Sequence, residues 1–422
     1  MRIALVLASG LLLSVGALGA PTMEVLPAGY IVTDISADGS VMVGNAVSDG
    51  SYETFRWTAA TGIVRLGGDT VIPIGVGGGT PDVSYDGTRI SATILSNDNL
   101  ATQGVWTLGS GWMVTLSPPL PPDGAALDSS YGSAWGLSGD GSTLTGFYWG
   151  LGAGSARPNT WSASTGVVSL PHDAGRSCRV NAADFDGDVV VGWEERFDGA
   201  WQPTVWRSGA KTRLFESEAF AEAYGVNGAG TIIVGDAYNP LHAKTEAAIW
   251  RWNGAGYDME FAGALVGTAA NMGGAWLDSV SDDGQLMAGG NRYGQSPGGL
   301  MDGIIWTPET GLVKDTVWLT SLGLVVPSDW DIRSFTAVSA DGRTVTAAVV
   351  IHGVDYATVV IRLGSCPADI DGDGVVGFAD LNLLLGNYNM SGAGLAGDID
   401  GDGDVDFSDL NALLGAYNTT CS

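Results

Sequence analysis

Basic residues are scarce in this chain: 18 Lys and Arg stand against 46 Asp and Glu in 422 residues, a formal net charge of -28 with a pI near 4.1. A surface of that sign offers no basic face for phosphate, which argues against a nucleic-acid partner. Cysteine is nearly missing, with Cys178, Cys366 and Cys421 alone, and no CxxC pair for redox or zinc chemistry. Only three histidines occur, His172, His242 and His352, and they share neither a register nor a ligand spacing, so they do not suggest a metal site. No segment approaches the ~20 consecutive apolar residues of a membrane span. Neither a Ser-His-Asp order nor a phosphate-cradling glycine loop stands out.

What the chain does hold begins with a leader. Residues 1 to 20 run from Met1-Arg2 through an apolar stretch, Ile3 to Val15, to small residues at Ala17-Leu18-Gly19-Ala20. That layout predicts a cleaved signal peptide and a secreted, extracellular protein. In an oxidising compartment Cys366 and Cys421, which bracket the last segment of the chain, are expected to form a disulfide worth about 4 kcal/mol on a loop-entropy estimate. Cys178 is left over, and reads as a small buried hydrophobe.

Between leader and tail the chain repeats. A tight-turn pair, usually with Ser two residues before it, appears at Asp38-Gly39, Asp86-Gly87, Asp140-Gly141, Asp186-Gly187, Ala229-Gly230, Asp283-Gly284 and Asp341-Gly342. Six residues after each pair begins, the chain is small: Gly44, Ala92, Gly146, Gly192, Gly235, Gly289 and Ala347. A further 13 to 17 residues on come Trp57, Trp106, Trp161, Trp206, Trp250, Trp306 and finally Ile361. Three features in one register define a repeat architecture. Each unit reads as short strands around an Asp-Gly hairpin, as in Val41-Met42-Val43, Thr54-Phe55-Arg56-Trp57 and Gly62-Ile63-Val64-Arg65-Leu66. Four strands per unit predict an all-β seven-bladed β-propeller over residues 21 to 365. The seventh unit lacks its outer strand after Ile361-Arg362-Leu363, and Thr22-Met23-Glu24-Val25-Leu26 is expected to supply it and close the ring. The runs Ser36-Ala37-Asp38-Gly39-Ser40-Val41-Met42-Val43-Gly44 with Phe55-Arg56-Trp57-Thr58, and Ser281-Asp282-Asp283-Gly284 with Ile305-Trp306-Thr307, resemble the extracellular HAF-repeat family. The resemblance implies secretion and a repeat-built β fold, and brings no reaction with it.

The tail, residues 366 to 422, contains a duplicate. Residues 369 to 389 and 398 to 418 agree at 16 of 21 positions, 29 residues apart. Both copies open on Asp-Ile-Asp-Gly-Asp-Gly, a spacing that supplies oxygens at positions 1, 3 and 5 of a 12-residue calcium loop with glycine at the turn. The first loop offers Asp369, Asp371, Asp373, the carbonyl of Val375 and Asp380; the second offers Asp398, Asp400, Asp402, the carbonyl of Asp404, Asp406 and Asp409. Two Ca2+ ions are expected, the second bound more tightly because Gly377 stands where the other loop has Asp406. Gly364-Ser365-Cys366-Pro367 and Gly392-Ala393-Gly394-Leu395-Ala396-Gly397 precede the loops and are poor helix formers, so each loop has an exit helix only. Two loop-helix units ending in Asp resemble a dockerin, which implies a small α-helical calcium-loop domain and a cohesin-like protein or cell-surface component as partner. At loop positions 10 and 11, where dockerins commonly carry small hydroxylated residues, this chain has Phe378-Ala379 and Phe407-Ser408.

Candidates in the propeller are few. Trp149, Trp193, Trp201, Tyr238 and Tyr293 follow the small residue in segments of variable length, where a sugar-stacking surface is one reading and capping of blade ends another. Glu194-Glu195 beside Trp193 is the one clustering of carboxylates with aromatics, and on a strand only one of the pair could face a cleft. These features suggest a secreted, non-catalytic propeller that binds a glycan or protein and is attached elsewhere by its calcium module. The alternative is a polysaccharide-degrading enzyme with a dockerin.

Overall fold

The computed structural model describes residues 21–48, 51–67, 71–73, 78–126, 129–151, 155–265, 273–293, 301–353, 355–364, 367–371, 375–392, 395–400 and 402–419. The expected leader at 1–20, the expected ligand Asp373 and both members of the expected disulfide, Cys366 and Cys421, lie outside these residues. Two compact units separate, one spanning Met23–Arg362 and the other containing Leu363–Ser422. Among the described residues no helix is long and apolar enough to cross a membrane.

The larger unit is a β-propeller built from antiparallel four-strand groups. In the first group Tyr30–Ile35, Val41–Ser48, Ser51–Thr58 and Gly62–Arg65 pair in chain order. The same meander recurs within 82–114, 132–169, 178–213, 222–263 and 273–314, the last two linked into one sheet by a single parallel bridge between Thr245 and Gly274. In the final group Trp330–Val338, Thr344–Ile351 and Asp355–Arg362 pair in order, and the N-terminal strand Thr22–Val25 lies on the outer edge beside Asp355–Arg362.

The sequence register has a physical origin at each of its three marks. Ser36 Oγ donates to Asp38 Oδ1 at 2.8 Å, Asp38 Oδ1 accepts from Ser40 N and Ser36 Oγ accepts from Val41 N, both at 2.9 Å. These bonds fix the turn, and the same pattern is made by Ser84 with Asp86, Ser138 with Asp140, Ser281 with Asp283 and Ser339 with Asp341. Gly39 follows at φ +67, a conformation that costs glycine nothing. The small residue is dictated by crowding: a Cβ on Gly192 would sit 2.0 Å from the carbonyl oxygen of Arg179 on the neighbouring strand. The third mark packs inward, since Trp206 and Trp250 are fully buried opposite Val190 and Ile233 on the adjacent strands.

Successive groups are stapled at the turns. Ala37 N donates to Tyr85 O, Tyr85 N to Gly139 O, Asp140 N to Phe185 O and Phe185 N to Gly228 O. Gly228 N then donates to Asp282 Oδ1, Asp282 N to Ala340 O and Asp341 N back to Ala37 O. Arginines add a second staple that the repeat pattern did not reveal: Arg56, Arg89 and Arg207 each donate to the turn-glycine carbonyl of the following group, Gly87, Gly141 and Gly230. Arg362 does the same to Gly39, at 3.4 Å.

The smaller unit is two loop-helix pairs with helices Phe378–Asn387 and Phe407–Ala416. Its core joins Ala368, Val376, Leu384, Val405 and Leu413. The two halves clasp reciprocally. Asn418 N donates to Val376 O and Val376 N to Thr419 O, while Asn389 N donates to Val405 O and Val405 N to Met390 O.

Candidate functional site

The inner strands of the propeller carry β-bulges, one extra residue apiece, at Thr33, Trp135, Asn181, Tyr224, Asp278 and Thr336. A bulge re-aims a side chain out of the alternating pattern. These six residues line a common cavity of about 390 Å3, together with Asp34, Asp82, Arg179 and Tyr85. A volume of that size falls within the roughly 300–1,000 Å3 of small-molecule sites. One end is obstructed. The hydroxyl of Tyr85 donates to Asp282 Oδ1 at 2.7 Å, joining two turns that are not neighbours in the staple circuit, so its ring spans the space between them and makes a cup of the cavity.

The cup is acidic on one wall. Asp34 and Asp82 hydrogen-bond to one another, and each also accepts a backbone N–H from the next group, Val83 N at 2.8 Å and Leu137 N at 3.0 Å. Burial raises both pKa values, and for Asp82 the charge of Asp34 raises it further. Asp278 accepts from Trp276 Nε1 at 2.7 Å, and burial pushes it up to about 7. Across the cup the Arg179 guanidinium lies 3.6 Å over the Trp135 ring and donates to Glu222 and Asn181.

The residues singled out in sequence fall elsewhere. Glu194 is fully buried, with Lys211 Nζ 2.8 Å from both of its oxygens, Arg213 Nη2 at 2.9 Å and Asp173 N donating at 2.6 Å. Glu195 accepts from Ser177 N at 3.0 Å. Trp193 and Trp201 do come together, stacked at 4.2 Å and 11°, but Arg179 lies over Trp193 at 5.5 Å and Phe220 packs edge-on against Trp201. Both ring pairs are thus occupied by the protein. Trp149 packs against Phe147, Tyr238 sits in strand Ile232–Asn239 opposite Thr245, and Tyr293 donates to Asp302 at 2.6 Å. His172 bonds the carbonyl of Leu170, His242 pairs with Glu246 and His352 with Asp329. Cys178 is buried, donating to Trp193 O at 3.1 Å, and burial holds its thiol well above the usual range.

In the smaller unit acids gather in each loop. Oxygens of Asp369, Asp371 and Asp380 lie within 4.8 Å of one another, as do those of Asp398, Asp400 and Asp409, and of Asp404, Asp406 and Asp409. The last acid of each loop is aimed by backbone. Asp380 accepts from Ile370 N, Asp371 N and Gly377 N at 2.6, 3.0 and 2.6 Å, and Asp409 from Ile399 N, Asp400 N and Asp406 N at 2.6, 3.1 and 2.8 Å. Asp402 stands outside both gatherings of its loop and accepts from Asp404 N. Asp404 contributes a side-chain oxygen where the spacing assigned only its carbonyl, and Oδ1 is buried with no hydrogen-bond partner among the described residues. Hard oxygen donors crowded in this way fit a calcium ion.

No family model matches the chain, and no curated protein matches it. Solved structures of similar form include TolB from Acinetobacter baumannii, at 11% identity and TM-score 0.41 over 78% of this chain and 65% of that one. The β-propeller domain of the trilobed protease from Pyrococcus furiosus is similar at 11% identity and TM-score 0.46, over 79% and 94%. An oligogalacturonate lyase from Vibrio parahaemolyticus is similar at 12% identity and TM-score 0.46, over 82% and 98%. The propeller assignment itself rests on the strand pairing described above.

Proposed function

We propose that this chain is a secreted modular binding protein: a seven-bladed propeller, closed by its N-terminal strand, that holds a glycan-type ligand in its central cup and is attached to a partner by a calcium-loaded dockerin-like tail. The observation that carries the reading is the cup, a cavity of about 390 Å3 closed off by Tyr85 and lined by bulge residues from six inner strands. Turn-to-turn hydrogen bonds that return from Asp341 to Ala37, and the place of Thr22–Val25 beside Asp355–Arg362, support seven blades and closure. The gathered acids of both loops support calcium, held by Asp369, Asp371 and Asp380 and by Asp398, Asp400, Asp404, Asp406 and Asp409. Bound calcium would neutralise the acids and fix the loops on their exit helices. Phe378 and Phe407, 68% and 69% exposed at equivalent places in the two halves, support a docking role for the tail.

The enzyme reading has less behind it. Glu194 is locked in ion pairs, and Asp34 and Asp82 touch each other, whereas two-carboxylate glycoside hydrolysis needs acids roughly 5–10 Å apart. Titrating the full-length protein with a panel of oligosaccharides tests the binding reading. At least one should change the tryptophan fluorescence by an amount that W135F removes, and silence across the panel would overturn it.

A further inference from the structure

We propose that the cup binds a hydroxylated ligand bearing a protonated amine, an amino sugar being of fitting size. The inference rests on the cup being a binding site and adds the chemistry of its occupant. Three carboxyls, Asp34, Asp82 and Asp278, line the cavity against one cation, Arg179. That cation is already engaged, by Glu222, by Asn181 Oδ1 and by the face of Trp135.

The donors of the lining are committed as well. Thr33 Oγ1 donates to Pro81 O at 2.6 Å and Thr80 Oγ1 to Trp135 O at 3.3 Å. Asn181 Nδ2 donates to Glu222 and to Ala223 O, both at 2.8 Å, and the Tyr224 hydroxyl bonds Glu222. What the walls still offer is acceptors, so the occupant must bring N–H and O–H groups and positive charge. Asp34 and Asp82 are pre-positioned for an ammonium, because the N–H groups of Val83 and Leu137 each fix one oxygen. The ammonium would donate to both carboxyls. Asp278 has Oδ2 on Trp276 and leaves Oδ1 for a second group of the same ligand.

A bare metal ion fits less well. Among the described residues, the gatherings of three acids close enough for one ion all lie in the tail, so Asp278 does not converge with Asp34 and Asp82 on a point. An extended molecule reaches both.

The test is calorimetry on the full-length protein at neutral pH with calcium saturating, using glucosamine, a glucosamine oligomer, N-acetylglucosamine and glucose. Glucosamine should bind at least about tenfold more tightly than its N-acetyl counterpart. An oligomer that binds better than the monomer would place a chain end in the cup. D34N/D82N and D278N should each weaken glucosamine by about tenfold or more while leaving calcium binding unchanged; asparagine keeps the acceptors for Val83 N, Leu137 N and Trp276 Nε1. Equal or tighter binding of glucose or N-acetylglucosamine, or glucosamine binding that ignores the three acids, would overturn the amine assignment and leave the cup as a site. No response to any sugar here or in the fluorescence panel would overturn both.

Discussion

Glu194 carries a charge in a place where no water reaches it, and it is stable there because Lys211 and Arg213 both close on its carboxylate. In sequence it stands beside Trp193 and looks like a site acid. Its ion pairs instead tie strand Val189–Glu195 to Lys211 and Arg213 of strand Ala210–Arg213, across the intervening strand Trp201–Arg207. E194Q should therefore leave the proposed ligand binding at the cup unchanged and lower the stability of the propeller by about 3 kcal/mol, since Lys211 and Arg213 lose their buried counter-charge and keep only the exposed carboxylates of Asp173 and, for Arg213, Glu216. Thermal unfolding followed alongside sugar titration checks this. Lost binding without lost stability would restore a site role for Glu194.

At the scale of elements, the calcium loop and the bulged strand differ in how far their chemistry extends. A loop of 12 residues contains its own ligands, its turn glycine and the acid that its own backbone N–H groups clamp. Spacing therefore suffices to propose ligands in the tail, where Asp380 and Asp409 gather with other acids of their own loops. Calorimetry with calcium should show two sites on the full chain, and D398A with D409A should remove the tighter one and retain the weaker. Unchanged affinities would refute the ligand assignment. The side-chain oxygen of Asp404 was not legible, because position 7 normally offers only its carbonyl. The bulges were not legible either. Alternation alone sends Asp34, Asp82 and Asp278 to no particular face; Asp278 is itself the inserted residue of its strand and Asp34 follows the one at Thr33, while Asp82 lies on a two-residue strand without a bulge. A usable signal existed, since Asp34 and Asp82 each stand four residues before a turn aspartate and Asp278 stands five before Asp283.

For the whole molecule the consequential contact is between the two ends of the propeller unit. Leu26 N donates to Thr358 O and Gly29 N to Tyr356 O, and Val32 N donates to the Thr358 hydroxyl, bonds that join residues more than 300 apart in sequence. Deleting Thr22 to Leu26 should strip the outer strand from the last group and lower the melting temperature by many degrees. A melting temperature that does not move would mean that this strand does not hold the last group in place. The sequence by itself determined the turns, the small residues, the tryptophan register and the acidic loops of the tail, because each depends on atoms within a few residues of one another. Only the tertiary structure decided the cup. Asp34, Asp82 and Asp278 have no local relation, and their shared cavity arises when separate inner strands are brought side by side around Tyr85.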